Sequence, residues 1–268
     1  MARRARVDVE LVRRGLARSR QQAAELIGAG RVSIDGMPAA KPATAIAVTA
    51  SLTVDAGEPA WVSRGAHKLI GALDTFGLTI EGKRCLDAGA STGGFTEVLL
   101  DRGALEVVAV DVGYGQLAWP LRADPRVVVL ERTNVRDLSP GVIGGPVDLV
   151  VADLSFISLA TVLPALTGCA SPDADIVPMV KPQFEVGKDH VGPGGVVHDG
   201  QLRAGAVLAV ARRAEQLGWH TLDVTASPLP GPSGNVEYFL WLRARTACGL
   251  VGDELGRLVQ RAVIEGPQ

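Results

Sequence analysis

Cys85-Leu86-Asp87-Ala88-Gly89-Ala90-Ser91-Thr92-Gly93-Gly94-Phe95 (residues 85–95) sets a short apolar run, an acid and three glycines directly ahead of a helical pattern. This order reads as strand, loop and helix, and glycines at such a junction let a ligand approach the backbone and the N–H groups that open the helix. A nucleoside-bearing ligand is therefore expected at Asp87, Gly89, Ser91, Thr92, Gly93, Gly94 and Phe95. A dinucleotide fingerprint counted from Gly89 would need glycine at position 91, where Ser91 stands, and no Gly-Lys-Ser/Thr follows to make a P-loop. What remains is D-x-G-x-S-x-G-G-F. A carboxylate at the strand end suits a ligand carrying a positive amino group and a sulfonium, and suits a pyrophosphate poorly. Asp111 ends the next apolar run, 22 positions after Gly89. That is the place from which an acid accepts hydrogen bonds from ribose hydroxyls.

Further apolar, β-rich runs extend the pattern: Val107 to Val110, Val127 to Leu130, Val147 to Val151 and Ile176 to Val180, with helical patterns at Thr96 to Arg102, Ser158 to Gly168 and Gln201 to Leu217 between them. Runs apolar on both faces fit a parallel sheet covered by helices on each side. Thr221 to Thr225 and Val236 to Leu242 are joined by a Pro/Gly/Ser loop too short for a crossover helix, so this final pair is expected to be antiparallel. A sheet that is parallel except for an antiparallel last strand resembles the Rossmann-like methyltransferase fold, in which Asn134-Val135 would lie beside an adenine. The expected α/β body is thus a mostly parallel seven-stranded sheet.

Within such a sheet, Asp153 closes the fourth strand, Lys181 closes the fifth, and Glu237 begins the antiparallel last one, so all three fall at the edge where open α/β sheets place their sites. Lys68, ahead of the first strand, could reach over from a helix. Lys68, Asp153, Lys181 and Glu237, in that order, resemble the K-D-K-E tetrad of FtsJ-type ribose 2'-O-methyltransferases. The set suits that reaction, because a ribose hydroxyl is a poor nucleophile at neutral pH and needs its proton removed or its developing charge stabilised. Lysine can do either. The expectation is that Lys181 contacts the 2'-hydroxyl, Asp153 and Glu237 orient the lysines, and Lys68 tunes the field.

The chain's 268 residues allow a small module beside a medium one. The net charge of -2 hides an asymmetry: residues 1–34 carry eight arginines against Asp8, Glu10 and Glu25, a net +5, which leaves -7 for the remainder. Asp8 to Arg14 reads as a helix stopped by Gly15, and Ser19 to Gln22 as a capping box opening a second helix ended by Gly28 and Gly30. Val32 and Ile34, the Asp35-Gly36 turn, then Val48, Leu52 and Val54 supply strand material. Arg6-Val7-Asp8 through Leu11-Val12, then Gly15-Leu16-Ala17-Arg18-Ser19-Arg20, Ala23, Leu26-Ile27, Gly30-Arg31-Val32 and Asp35-Gly36 resemble the S4 RNA-binding domain, a small α+β module. The resemblance implies that the second helix and the loop before it grip RNA, with Arg18, Arg20 and Lys41 as phosphate partners. Arg4 and Arg6, and in the body Arg64, Arg132 and Arg136, complete the expected RNA-contacting set.

An S4 module at 1–58, a linker at 59–64 containing Trp61, and an FtsJ-like body at 65–268 together resemble the TlyA/hemolysin A family along nearly the full length. Membership implies S-adenosylmethionine as cofactor and 2'-O-methylation of cytidine in ribosomal RNA, 16S and/or 23S, within ribosomal subunits. The linker reads Pro59-Ala60-Trp61-Val62 where Arg-Ala-Trp-Val is expected, so any ion pair made by that arginine is missing. The loop from Glu185 to His198 is glycine-rich and expected to be mobile until RNA orders it. His190 and His198, with only Asp189 and Asp199 nearby, make a poor metal site, and none is expected. Cys85, Cys169 and Cys248 lack CxxC pairing and are expected to be reduced. No apolar run approaches the roughly 18 to 20 residues that cross a bilayer, which argues against a pore-former and for the cytoplasm. A pseudouridine synthase would not need the cofactor loop, and a non-catalytic ribosome-binding protein would not need Lys181.

Overall fold

The computed structural model describes residues 4–17, 19–55, 61–246, 249–250 and 252–267. The chain divides into two compact units between residues 60 and 61. Trp61 to Arg64, expected in a linker, belong to the second unit, where Trp61 and Val62 pack against its core. The linker's Pro59 and Ala60 lie outside the described residues.

In the first unit, β1 (Arg4–Arg6) runs into α1 (Val7–Arg13), and Gly15, at φ +73°, turns the chain away from the helix. α2 (Arg20–Gly28) starts at Ser19, whose hydroxyl accepts from the Gln22 N–H at 3.1 Å, the bond expected of a capping box. β2 (Val32–Ile34) and β3 (Met37–Pro38) form a hairpin across Asp35 and Gly36, both at positive φ (49° and 83°) as a two-residue primed turn requires. β4 (Ala45–Ala47) pairs antiparallel with β1, and β5 (Leu52–Val54) with β2. Val48, expected within a strand, falls one residue beyond β4. Val7, Leu11, Ala23, Ile27, Val32 and Ile46 meet in a small core.

The second unit opens with α3 (Gly65–Phe76), followed by β6 (Arg84–Ala88), α4 (Gly94–Asp101), β7 (Glu106–Val110), α5 (Trp119–Arg122), β8 (Val127–Leu130), α6 (Pro140–Ile143) and β9 (Val147–Ala152). α7 (Leu159–Cys169), β10 (Ala170–Val180), α8 (Pro182–Glu185), α9 (Gly200–Gln216), β11 (His220–Ala226), β12 (Tyr238–Arg243) and α10 (Gly252–Glu265) complete it. The seven strands lie in the order β11-β12-β10-β9-β6-β7-β8, and β12 is antiparallel to both its neighbours. This is the expected sheet, with the last strand inserted between β10 and β11. Strand ends follow from burial. Cys85, Val107, Leu149 and Val177 face one apolar layer under α3 and α4, whereas Leu86, Val108, Val150 and Ile176 face the other. α10 was not anticipated from the sequence, although Leu255, Val259, Ala262 and Val263 follow helical spacing and are all buried.

Cys85 and Cys169 are free and buried, and Cys248 lies outside the described residues. Among the described residues no helix is long and apolar enough to cross a membrane, and no group of three or more His, Cys, Asp or Glu could hold a metal ion.

Candidate active site

The glycine loop leaves β6 at Ala88 and enters α4 at Gly94, and its shape depends on missing side chains. Gly89 sits at φ +88°, and a Cβ there would lie 2.4 Å from the Asp153 carbonyl oxygen. Gly93 sits at φ +102°, against Leu121 and Leu117, and a Cβ on Gly94 would meet Ser63 Oγ at 2.1 Å. Any larger residue would push the loop off β9 or off α3, so the glycines hold the backbone of residues 89–94 close to both. Ser91 also adopts positive φ (48°), held by its own N–H donating to Asp111 Oδ2 at 2.8 Å. The other Asp111 oxygen accepts from the Gly113 N–H at 2.6 Å. Each Asp111 oxygen keeps a further lone pair for another donor.

Asp87 is fully buried beneath the loop rather than on a cleft wall. Its Oδ2 accepts from the Thr96 hydroxyl at 2.6 Å, and its Oδ1 is buried without a partner among the described residues. Burial above all, opposed by hydrogen bonding from Thr96 and helped by the nearby Asp153 and Asp111, brings this carboxyl up to about 7. Asn134 accepts from the Arg136 N–H at 3.0 Å and caps a short 3-10 turn, Val135–Asp137. It lines a cleft of about 520 Å³ with Gly89, Ser91, Asp111, Val135 and Phe156. Phe156 is 91% exposed at φ +64°, its ring 5.3 Å from that of Phe184.

A second cleft, of about 360 Å³, opens beside the first and shares Gly89, Ser91, Asp153 and Ser155 with it. Lys68, Asp153, Lys181 and Glu237 all line it, together with Thr92, Gly94, Phe95 and Arg64. The tetrad is thus brought together, and it divides into two pairs. Lys68 Nζ donates to Glu237 Oε2 at 2.5 Å, with both side chains almost inaccessible. Lys181 Nζ lies 2.6 Å from Asp153 Oδ1, close enough for an ion pair but bent away from hydrogen-bond geometry, and donates to Ser155 Oγ at 3.0 Å. Topology explains the pairing. Asp153 follows β9, Lys181 follows β10, and these strands are parallel neighbours, whereas Glu237 precedes β12 and faces the side covered by α3. Sequence reading missed Ser155 and Ser63. A hydroxyl two residues beyond a strand-end acid was the available signal for Ser155.

The glycine-rich segment after Lys181, expected to be mobile until RNA orders it, is hydrogen-bonded near both ends. Glu185 accepts from Ser158 Oγ at 2.6 Å and from the Leu159 N–H at 2.7 Å. At the far end Asn235 Oδ1 accepts from the Val197 N–H at 3.0 Å, and Asn235 Nδ2 donates to the Gly195 carbonyl at 2.8 Å.

The arginines of the first unit are largely engaged within it. Asp8 accepts from both Arg6 and Arg20, with Nη2 distances of 3.0 Å to Oδ2, and these contacts hold its carboxyl down at about 2. Arg13 and Arg14 pair with Glu10, and Arg14 also donates to the Ala50 and Val48 carbonyls, each at 2.8 Å. Arg4 donates to the Ala45 carbonyl at 3.1 Å. Arg6 and Arg20 are therefore tied to Asp8 on one side, and with side chains 48% and 60% exposed they keep an outward face. Lys41 is exposed, and Arg18 lies outside the described residues. In the second unit Arg64 lines the tetrad cleft, Arg136 lines the Asn134 cleft, and Arg132 lies 4.2 Å from the ring centre of Tyr114.

Residues 61–244 match the FtsJ-like methyltransferase family and residues 5–50 match the S4 domain. A relative from Mycobacterium tuberculosis, the 16S/23S rRNA (cytidine-2'-O)-methyltransferase TlyA, is 76% identical over the whole of both chains. Hemolysin A of Brachyspira hyodysenteriae is 36% identical over 87% of this chain and 97% of its own. A solved structure from Streptococcus thermophilus, bearing a hemolysin name, covers 99% of this chain and 98% of its own at 35% identity, with a TM-score of 0.73. With its S4 domain, its cleft-lining tetrad and these full-length relatives, the chain belongs to the TlyA/hemolysin A family of FtsJ-like methyltransferases.

Proposed function

We propose that this chain transfers the methyl group of S-adenosylmethionine to the ribose 2'-hydroxyl of a cytidine in ribosomal RNA, within ribosomal subunits. The observation that carries the reading is the Lys181–Asp153 pair, lining both adjoining clefts through Asp153 and opening on the tetrad. The residues present fit the cofactor. Gly89, Gly93 and Gly94 let the loop 89–94 pack closely on its neighbours and so line the cleft with backbone, and Asp111 has lone pairs left for ribose hydroxyls. Asn134 and Val135 would flank the adenine, and the unpartnered Asp87 Oδ1 supplies a buried acceptor beneath the loop. When bound, S-adenosylmethionine supplies a sulfonium methyl that a nucleophilic oxygen accepts.

The chain's own residues do the rest. Lys181, held between Asp153 and Ser155, donates one N–H to Ser155 and stands within ion-pair distance of Asp153, which leaves it a donor for the 2'-oxygen. The Asp153 carboxylate beside Lys181 fixes where its amine points, and a donor aimed at that oxygen suits stabilising the negative charge that develops there. Lys68 is too enclosed by Glu237 to touch a nucleotide, so it acts on the field within the cleft. The first unit supplies RNA contacts, with Lys41 and the outward faces of Arg4, Arg6 and Arg20 meeting phosphates. Arg64, Arg132 and Arg136 do the same around the clefts, and the cytoplasm, where ribosomal subunits reside, is the site of action.

Incubation with radiolabelled S-adenosylmethionine and isolated ribosomal subunits, followed by nucleoside analysis, tests the reading. Label is expected in 2'-O-methylcytidine and is expected to fall by about 100-fold or more with Lys181→Ala. Label on a base would refute the ribose assignment, and transfer unaffected by Lys181→Ala would refute the site.

A further inference from the structure

The glycine-rich strap between Lys181 and α9 is tied to the strand carrying Glu237, and one side chain makes the tie. Asn235 is buried (3% exposed) two residues ahead of Glu237. Its carbonyl oxygen accepts from the Val197 N–H and its amide donates to the Gly195 carbonyl, so the side chain pairs with the strap as a strand backbone would. Its backbone oxygen accepts from the Gly231 N–H at 2.8 Å, closing the loop that leads into β12. That loop presses on the catalytic carboxylate. A Cβ on Gly231 would lie 2.8 Å from Glu237 Oε1, Pro232 lines the tetrad cleft, and the Glu237 carbonyl accepts from the Ser227 N–H at 2.8 Å. The strap itself begins at Glu185, clamped to Ser158 and Leu159, and ends where Asp199 caps α9.

We propose that Asn235 is a positioning residue for the reaction: by joining strap residues 195–197 to the loop 231–235, it fixes the start of β12 and hence the Glu237 carboxylate that holds Lys68. The inference rests on the proposed methyl transfer. Asn235 is not in the lining of either cleft and its side-chain hydrogen bonds go to the strap, so it acts through Glu237. An amide is needed because the strap offers one donor and one acceptor. Alanine removes both bonds, whereas aspartate keeps an acceptor for Val197 and loses the donor to Gly195.

The test is a double-mutant cycle on the full chain with Asn235→Ala, Glu237→Ala and the pair, measuring methyl transfer to ribosomal subunits alongside amide hydrogen exchange. Asn235→Ala is expected to lower kcat by about 10- to 100-fold, as misplacement of a catalytic group by a fraction of an ångström does. The KM for S-adenosylmethionine is expected to stay within about 2-fold, since uniform binding is untouched. The pair is expected to transfer no more slowly than Glu237→Ala alone, because a residue acting through another adds nothing once that other is gone. Exchange is expected to rise at Val197 and across residues 231–237 together. Additive losses, or a strap that opens while 231–237 stays protected, would overturn the proposal. Should Asn235→Ala fail to fold, Asn235→Asp enters the same cycle with a smaller expected loss. A wild-type chain that transfers no methyl group would overturn the proposed function instead. The exchange result would then decide by itself whether Asn235 holds the Glu237 segment.

Discussion

Asp87→Asn should change how the larger unit's stability depends on pH. Asp87 is fully buried, one oxygen has no partner among the described residues, and its carboxyl stands at about 7 in the folded chain. The unfolded chain ionises it near pH 4, so the folded state binds the proton more tightly by about 3 pH units, worth about 4 kcal/mol at 1.36 kcal/mol per unit. Because the folded value is raised, this contribution is fully present below about pH 4. It is lost as pH rises towards about 7 and constant above that. Asparagine has no such window. Its oxygen can still accept from Thr96, and its amide, placed where Oδ1 now lacks a partner, costs about 1–3 kcal/mol at every pH. The wild-type advantage should therefore shrink by about 4 kcal/mol between pH 4 and pH 8, and the order of stability can reverse. Urea unfolding followed by tryptophan fluorescence isolates the unit concerned, since Trp61, Trp119, Trp219 and Trp241 all lie in it. A difference between the two proteins that stays flat across the pH range would refute the argument, because it would mean that Asp87 is ionised in the folded state.

Gly89→Ala would place a methyl group 2.4 Å from the Asp153 carbonyl at a φ of +88°. It should cost about 3 kcal/mol and abolish S-adenosylmethionine binding in equilibrium dialysis; retained binding would mean that the loop has room the geometry denies. In the first unit, Arg14→Ala removes two bonds to carbonyls and one to Glu10 and should destabilise that unit by about 2 kcal/mol. Lys41→Ala should leave its stability alone and reduce the salt slope of RNA binding by about 1, and the reverse assignment would refute these roles. Asp8, held down at about 2, gives that unit stability that is present above about pH 4 and lost as pH falls towards 2; Asp8→Asn should flatten this acid limb in amide-resolved NMR.

How much of this was legible in the sequence depends on the range of the interaction concerned. β6, β7, β9 and β10 announce themselves because both faces of a central strand are buried, so each reads as a mostly apolar run, and the edge strand β8 reads the same way although it is only half-buried. β1 gives no such sign: Arg4–Arg6 joins its sheet through backbone pairing with β4, and two of its three side chains are arginines. α10 carried a readable spacing that the glycines at 249 and 252 obscured. Charge counting located the basic module, but a count says nothing of where Asp8 and Glu10 sit. Both are buried in the fold and pair with four arginines, two of which, Arg6 and Arg20, belong to the set expected to meet phosphates. Glycine content alone made the strap read as mobile, because its anchor, Asn235, lies 38 residues beyond Val197.

The tetrad shows the same limit at the level of mechanism. Four residues at strand ends and on one helix were enough to predict that they converge, since strand ends share an edge. They were not enough to say which lysine meets which acid. That is set by the face of β12 from which Glu237 projects and by the helix above it. The answer changes the chemistry. Lys68 is paired with Glu237 and almost inaccessible, whereas Lys181 keeps a donor direction beside Ser155 in the tetrad cleft. In the proposed reaction the two lysines therefore have different parts: position 68 serves through the field it sets, and position 181 by contact.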